Sequence, residues 1–100
     1  MIKKSLEITP GIEPLYGTRD ENLRLLEDGL QVLIDLRSDA IHVTGAAEGV
    51  ERVERIFADY ESLRRSGVTL QNGELKGMLK LVIADSAVTL KSLVDSGRTR

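Results

Sequence analysis

Leu15-Tyr16-Gly17-Thr18-Arg19-Asp20-Glu21-Asn22-Leu23-Arg24-Leu25-Leu26-Glu27 runs from a glycine-centred loop into a helix. Pro14 and Gly17 bracket the loop, and from Asp20 the apolar positions Leu23, Leu26 and Leu30, with Leu25 beside them, recur at three- and four-residue spacing. That spacing predicts an amphipathic helix over residues 20–29, ended by Gly29. Thr18 or Asp20 is placed to cap it, accepting from the free N–H groups of the first turn.

Working outward, Gln31-Val32-Leu33-Ile34-Asp35-Leu36 and Ile41-His42-Val43-Thr44-Gly45 are rich in β-favouring residues and flank Arg37-Ser38-Asp39, a short polar segment suited to a hairpin turn. Beyond Gly45, Val50, Val53, Ile56, Phe57, Tyr60 and Leu63 form one helical stripe that ends near Ser66-Gly67 and should cover the sheet. A further helix is expected over 73–83, with Leu75, Met78, Leu79 and Val82 inward and Gly77 as a weak point. Asp85-Ser86 reads as a break and new cap before a last helix over 88–94. Upstream, Ser5-Leu6-Glu7-Ile8-Thr9 alternates polar with apolar and reads as a short first strand stopped by Pro10-Gly11. No internal repeat or low-complexity tract interrupts this order.

One hundred residues with 41% hydrophobic content suit one compact domain. The chain has no cysteine, which removes disulfides, thiolate nucleophiles and cysteine-based zinc sites and fits a reducing cytoplasm. Glu7 and Pro10 interrupt the N-terminal apolar stretch before a signal peptide could form, and no run approaches a membrane span. Fourteen basic residues stand against 16 acidic ones, a net charge of -2, whereas a nucleic-acid binder commonly carries a basic face. Arg19, Arg24 and Arg37 can still share one face while Glu48, Glu51, Glu54 and Glu61 lie on another helix.

Glycine loop, helix, hairpin, helix is the layout of a nucleic-acid-binding KH module, and the order of these parts resembles the N-terminal domain of PhoH-like proteins, the phosphate-starvation-inducible family of predicted ATPases. The resemblance covers roughly Leu6 to Val94. It implies a KH-like α+β fold: a small three-stranded, mainly antiparallel sheet packed against helices, with additional C-terminal helices. It implies a KH-like domain over residues 1–94, with residues 95–100 opening a linker to an ATPase domain. The chain is then an accessory RNA-binding module, itself non-catalytic and cofactor-free, with ATP and magnesium belonging to that other domain. The implied partners are single-stranded RNA, the ATPase domain and a second copy of the chain, in the cytoplasm and away from membranes. Gly17, Thr18, Arg19, Asn22 and Arg24 are the implied RNA contacts. The alternative is a protein-interaction or oligomerisation domain that has lost RNA contact.

The sequence departs from the KH loop at one point: Asp20 stands where a Gly-x-x-Gly loop has its second glycine. Backbone there must approach the sugar-phosphate chain closely. A carboxylate at a helix start favours the helix dipole but repels phosphate. Gly17 as a turn residue, Asp20 as a cap and the arginines as solvated charges are the competing reading. Tyr16 is placed either to stack on a base or to pack on the first helical turn. Phe57 and Tyr60 fall on the apolar stripe and belong to the core. His42, the one histidine, sits between Ile41 and Val43 and points away from their face; neither a metal site nor a Ser-His-Asp assembly has local support. Gly-Lys-Ser, Gly-Lys-Thr and Gly-x-Gly are all absent. The purified chain should therefore show no magnesium-dependent ATP turnover above buffer; hydrolysis that co-purifies with it through several columns would refute this.

Overall fold

The computed structural model describes residues 1–7, 21–37, 40–68, 72–85 and 87–95. In chain order these form β1 (Ile2–Glu7), α1 (Glu21–Leu30), β2 (Val32–Leu36), β3 (Ala40–Gly45), α2 (Ala47–Arg65), α3 (Asn72–Ala84) and α4 (Leu90–Asp95). The fold is α+β: the three strands make an antiparallel sheet in the order β1-β3-β2, with helices on one face.

Alternation decides which face is covered. Ile41 and Val43 on the central strand and Val32 on β2 are buried, while Leu33 and Asp35 point to the open face. The predicted stripe of α2 lies over this sheet, and Val50, Val53, Ile56, Phe57, Tyr60 and Leu63 are all at most 6% exposed. Each such side chain contributes about 1.5–3 kcal/mol on leaving water. Helix α2 ends in paired backbone bonds, Gly67 N–H to the Arg64 carbonyl and Val68 N–H to the Leu63 carbonyl, with Gly67 at a φ of 92°. Leu75, Leu79 and Leu90 extend the core into α3 and α4 and are fully buried.

The hairpin, α2 and the inward face of α3 follow the sequence reading, with α3 one residue longer at each end than expected; three further differences have a physical cause. Helix α1 does not stop at Gly29 but runs to Leu30, and Gln31 takes the left-handed turn at a φ of 57° while its Nε2 donates to the Asp28 carbonyl at 2.7 Å. Gly29 has another role: a Cβ there would lie 2.5 Å from Ile83 Cγ2, so glycine lets α1 and α3 touch. Strand β1 begins at Ile2, because its pairing with β3 starts at Ile2↔Gly45 and closes at Glu7↔Ala40; positions 8 and 9 of the expected strand lie outside the described residues. Lys4 thereby shares the helix-facing side with Leu6 and reaches Glu54 on α2 at 3.6 Å. An inward-facing charge on an edge strand discourages pairing with another sheet.

The third difference is the cap of α4. The helix starts at Leu90, and Thr89 with Ser92 supplies a reciprocal cap: Thr89 N–H donates to Ser92 Oγ at 3.0 Å, and Ser92 N–H donates to Thr89 Oγ1 at 3.1 Å. Asp85, expected to share that role, instead accepts from the Ala87 N–H at 3.0 Å in the turn between the helices. The expected cap of α1 by Thr18 or Asp20 lies outside the described residues.

The Gly29 contact gives a directional test. Alanine is the better helix former by up to about 1 kcal/mol, but the branched Ile83 side chain is stiff and overpacking costs about 1–3 kcal/mol. Gly29→Ala should therefore lower stability by about 1–2 kcal/mol in urea unfolding. Introduced into an Ile83→Ala background, it should be neutral or stabilising. Stabilisation by Gly29→Ala alone would place the two helices further apart.

Candidate nucleic-acid interface

Helix α1 packs against α3 and lies beside β2, an edge strand, so this side combines a helix surface with a strand edge. One hydrogen bond joins the two: the Ile34 N–H donates to Glu27 Oε2 at 2.8 Å. An edge strand leaves alternate backbone groups without ladder partners, and Glu27 satisfies one of them. At the other end of α1, Glu21 Oε1 accepts from Lys76 Nζ on α3 at 2.8 Å. Both side chains of that pair are at least 40% exposed, which limits its contribution to stability. Two acidic groups of α1 are thus engaged.

The implied RNA contacts divide into three groups. Gly17, Thr18 and Arg19 lie outside the described residues, as do Tyr16 and Asp20. Arg24 is exposed, one turn from both Glu21 and Glu27, and has no ion-pair partner among the described residues. Asn22 is 0% exposed, so in this conformation its amide does not reach the surface. The cause lies in the helix period: Asn22 precedes Leu23 and sits one turn before Leu26, on the flank of the apolar stripe. Both its amide oxygen and nitrogen are buried without a partner among the described residues.

The open face of the sheet carries a row that sequence spacing concealed. The registers place Ser5 opposite His42 and His42 opposite Asp35, so serine, histidine and aspartate lie side by side on three strands. Ser5 Oγ lies 3.1 Å from His42 Nδ1, while Asp35 Oδ2 accepts from Arg37 Nε at 2.8 Å. Ser5 and Asp35 are exposed, and the carboxylate is bonded to arginine rather than orienting the imidazole. The row has the composition of a nucleophilic triad without its chain of hydrogen bonds. It forms a polar ladder on the solvent face, with His42 pointing away from Ile41 and Val43.

Exposed apolar surface is scattered. Leu81 is the one large apolar residue exposed on α3 and α4 among the described residues, at 53%. Met1 and Leu33, at 97% and 67%, line an open depression with Glu27 and Asp28 at the end of the sheet. Among the described residues no group of three or more histidine, cysteine, aspartate or glutamate side chains is arranged to hold a metal ion, and no helix is long and apolar enough to cross a membrane.

No protein-family model matches the chain, and no match arises among curated proteins or solved structures.

Asn22 supplies the test of this region. A buried amide without partners costs about 1–3 kcal/mol, so Asn22→Leu should leave stability unchanged or raise it by about 1–2 kcal/mol in chemical denaturation. A clear loss would assign the amide a partner outside the described residues.

Proposed function

We propose that this chain is the accessory, non-catalytic nucleic-acid-binding domain of a PhoH-like protein, KH-like in fold and cytoplasmic. It holds single-stranded RNA on the α1 side while an ATPase domain of the same protein binds ATP and magnesium. The observation that carries this reading is the placement of α1 beside the β2 edge with Arg24 exposed and without an ion-pair partner among the described residues, while Glu21 and Glu27 are engaged by Lys76 and the Ile34 N–H. Lys76 offsets the charge of Glu21 where a phosphate chain would lie, and the net charge of -2 is no measure of the field at that point. The antiparallel sheet, the hairpin between α1 and α2 and the additional C-terminal helices support the same reading.

Within this proposal Gly17, Thr18 and Arg19 bring backbone and charge to the phosphates, and Arg24 adds a second cation along the helix. Asn22 contributes from behind the surface, by its place in the first turn of α1, rather than as a direct contact. A second reading, a docking domain for protein or for another copy of the chain, draws on Met1 and Leu33 beside Glu27 and Asp28 at the sheet end. Such a patch suits an apolar partner bearing basic groups.

A labelled single-stranded RNA titrated in fluorescence anisotropy separates these readings. A module contacting about three phosphates should lose roughly 20-fold in affinity between about 50 and 200 mM salt. Arg24→Glu should weaken binding further, and Asp20→Gly should tighten it by removing a repelling carboxylate. Undetectable binding by both the parent chain and Asp20→Gly would leave the docking domain as the better account.

A further inference from the structure

On the flank of α2, away from β2, a cleft of about 150 Å³ opens between α2, the end of α3 and the start of α4. Its walls are the apolar side chains of Ile56, Val82 and Val88. Four charged residues of α2 surround these walls: Glu51, Arg52, Arg55 and Asp59. Their formal charges cancel, so the cleft gives no net attraction to a phosphate or an ammonium group. The four are not equivalent. Arg52 is already committed, its amino group donating to the Val82 carbonyl at the C-terminal turn of α3. Asp59 Oδ2 is buried without a hydrogen-bond donor among the described residues, and Arg55 is exposed without a partner there. A buried carboxylate oxygen is rarely left without a donor. A cavity of roughly this volume accommodates a single six-membered ring.

We propose that this cleft binds a pyrimidine base. The ring lies against Ile56, Val82 and Val88, the Asp59 carboxylate turns toward the cleft to accept an N–H of the base, and Arg55 donates to a ring or carbonyl acceptor. A base is neutral, ring-sized and carries donor and acceptor on one edge, which matches the cancelled charge, the volume and the two free groups. The site is separate from the α1 surface and does not rest on the RNA reading made there.

The experiment is a titration of the full chain with cytidine, followed through the methyl resonances of Ile56, Val82 and Val88. Saturable shifts confined to these positions are expected, and Arg55→Ala and Asp59→Asn should each weaken binding by about 10- to 100-fold. Arg55 is exposed, so its variant should fold even if Asp59→Asn does not. A cytidine-containing oligonucleotide that produces the same shifts would identify RNA as the source of the base; shifts with the nucleoside alone would identify a free nucleoside. Absence of shifts at the solubility limit of cytidine would overturn the proposal. So would binding of benzene and cytidine with equal strength in parent and variants, since the cleft would then be an apolar hollow.

Discussion

The rest of the structure depends on how closely α2 starts beside the end of α1. A Cβ at Gly49 would lie 2.6 Å from the Leu30 carbonyl oxygen and 2.9 Å from a Val32 methyl. Backbone cannot yield as a flexible side-chain tip can, so only a residue without a Cβ fits there. The constraint falls where α1 ends, Gln31 turns in the left-handed region and β2 begins. One contact therefore fixes the direction in which α1 leaves the sheet, the starting register of β2 and the point at which α2 crosses the covered face. Leu26, Val43, Val53 and Ile56 then fill the space below it, each at most 1% exposed.

Through that corner the core determines the chemistry of the surface. With α1 held beside β2, Glu27 reaches the Ile34 N–H and closes part of an edge that would otherwise be open to a pairing strand. On its other flank, α1 approaches α3 at Gly29, which brings Lys76 to Glu21. Glu21 and Glu27 are thus tied to the scaffold, while Arg24 and Asp28 stay exposed. Composition reports an acidic chain, but the field met by a ligand depends on which charges are already engaged.

The α3 and α4 helices shape the surface of α2 as well as adding to the core. By placing the C-terminal turn of α3 over Arg52, they draw this arginine into capping carbonyl groups and leave Arg55 and Asp59 without a side-chain partner among the described residues. The α2 helix therefore has two distinct sides. One carries the stripe from Val50 to Leu63 against the sheet, and the other presents charges sorted by what α3 and α4 leave unengaged.

By itself the sequence determined the elements whose signal is local. The three- and four-residue spacing of Val50, Val53, Ile56, Phe57, Tyr60 and Leu63 is a property of one helix, and the alternation of Ile41, His42 and Val43 is a property of one strand, so both were legible without a partner. The α1 stripe and the inward face of α3 were legible for the same reason. Tertiary structure alone decided what depends on two segments meeting. Gly29 has the local character of a helix stop, yet it is set by Ile83 more than fifty residues away, and the terminating conformation passes to Gln31. Lys4 belongs to the helix-facing side only because β1 pairs with β3 from Ile2 onward, and the same register aligns Ser5, His42 and Asp35. Asn22 is polar by composition and buried by position. Helical period and strand alternation are carried by neighbours along the chain, whereas register, close approach and the pairing of charges are fixed only when distant residues share one core.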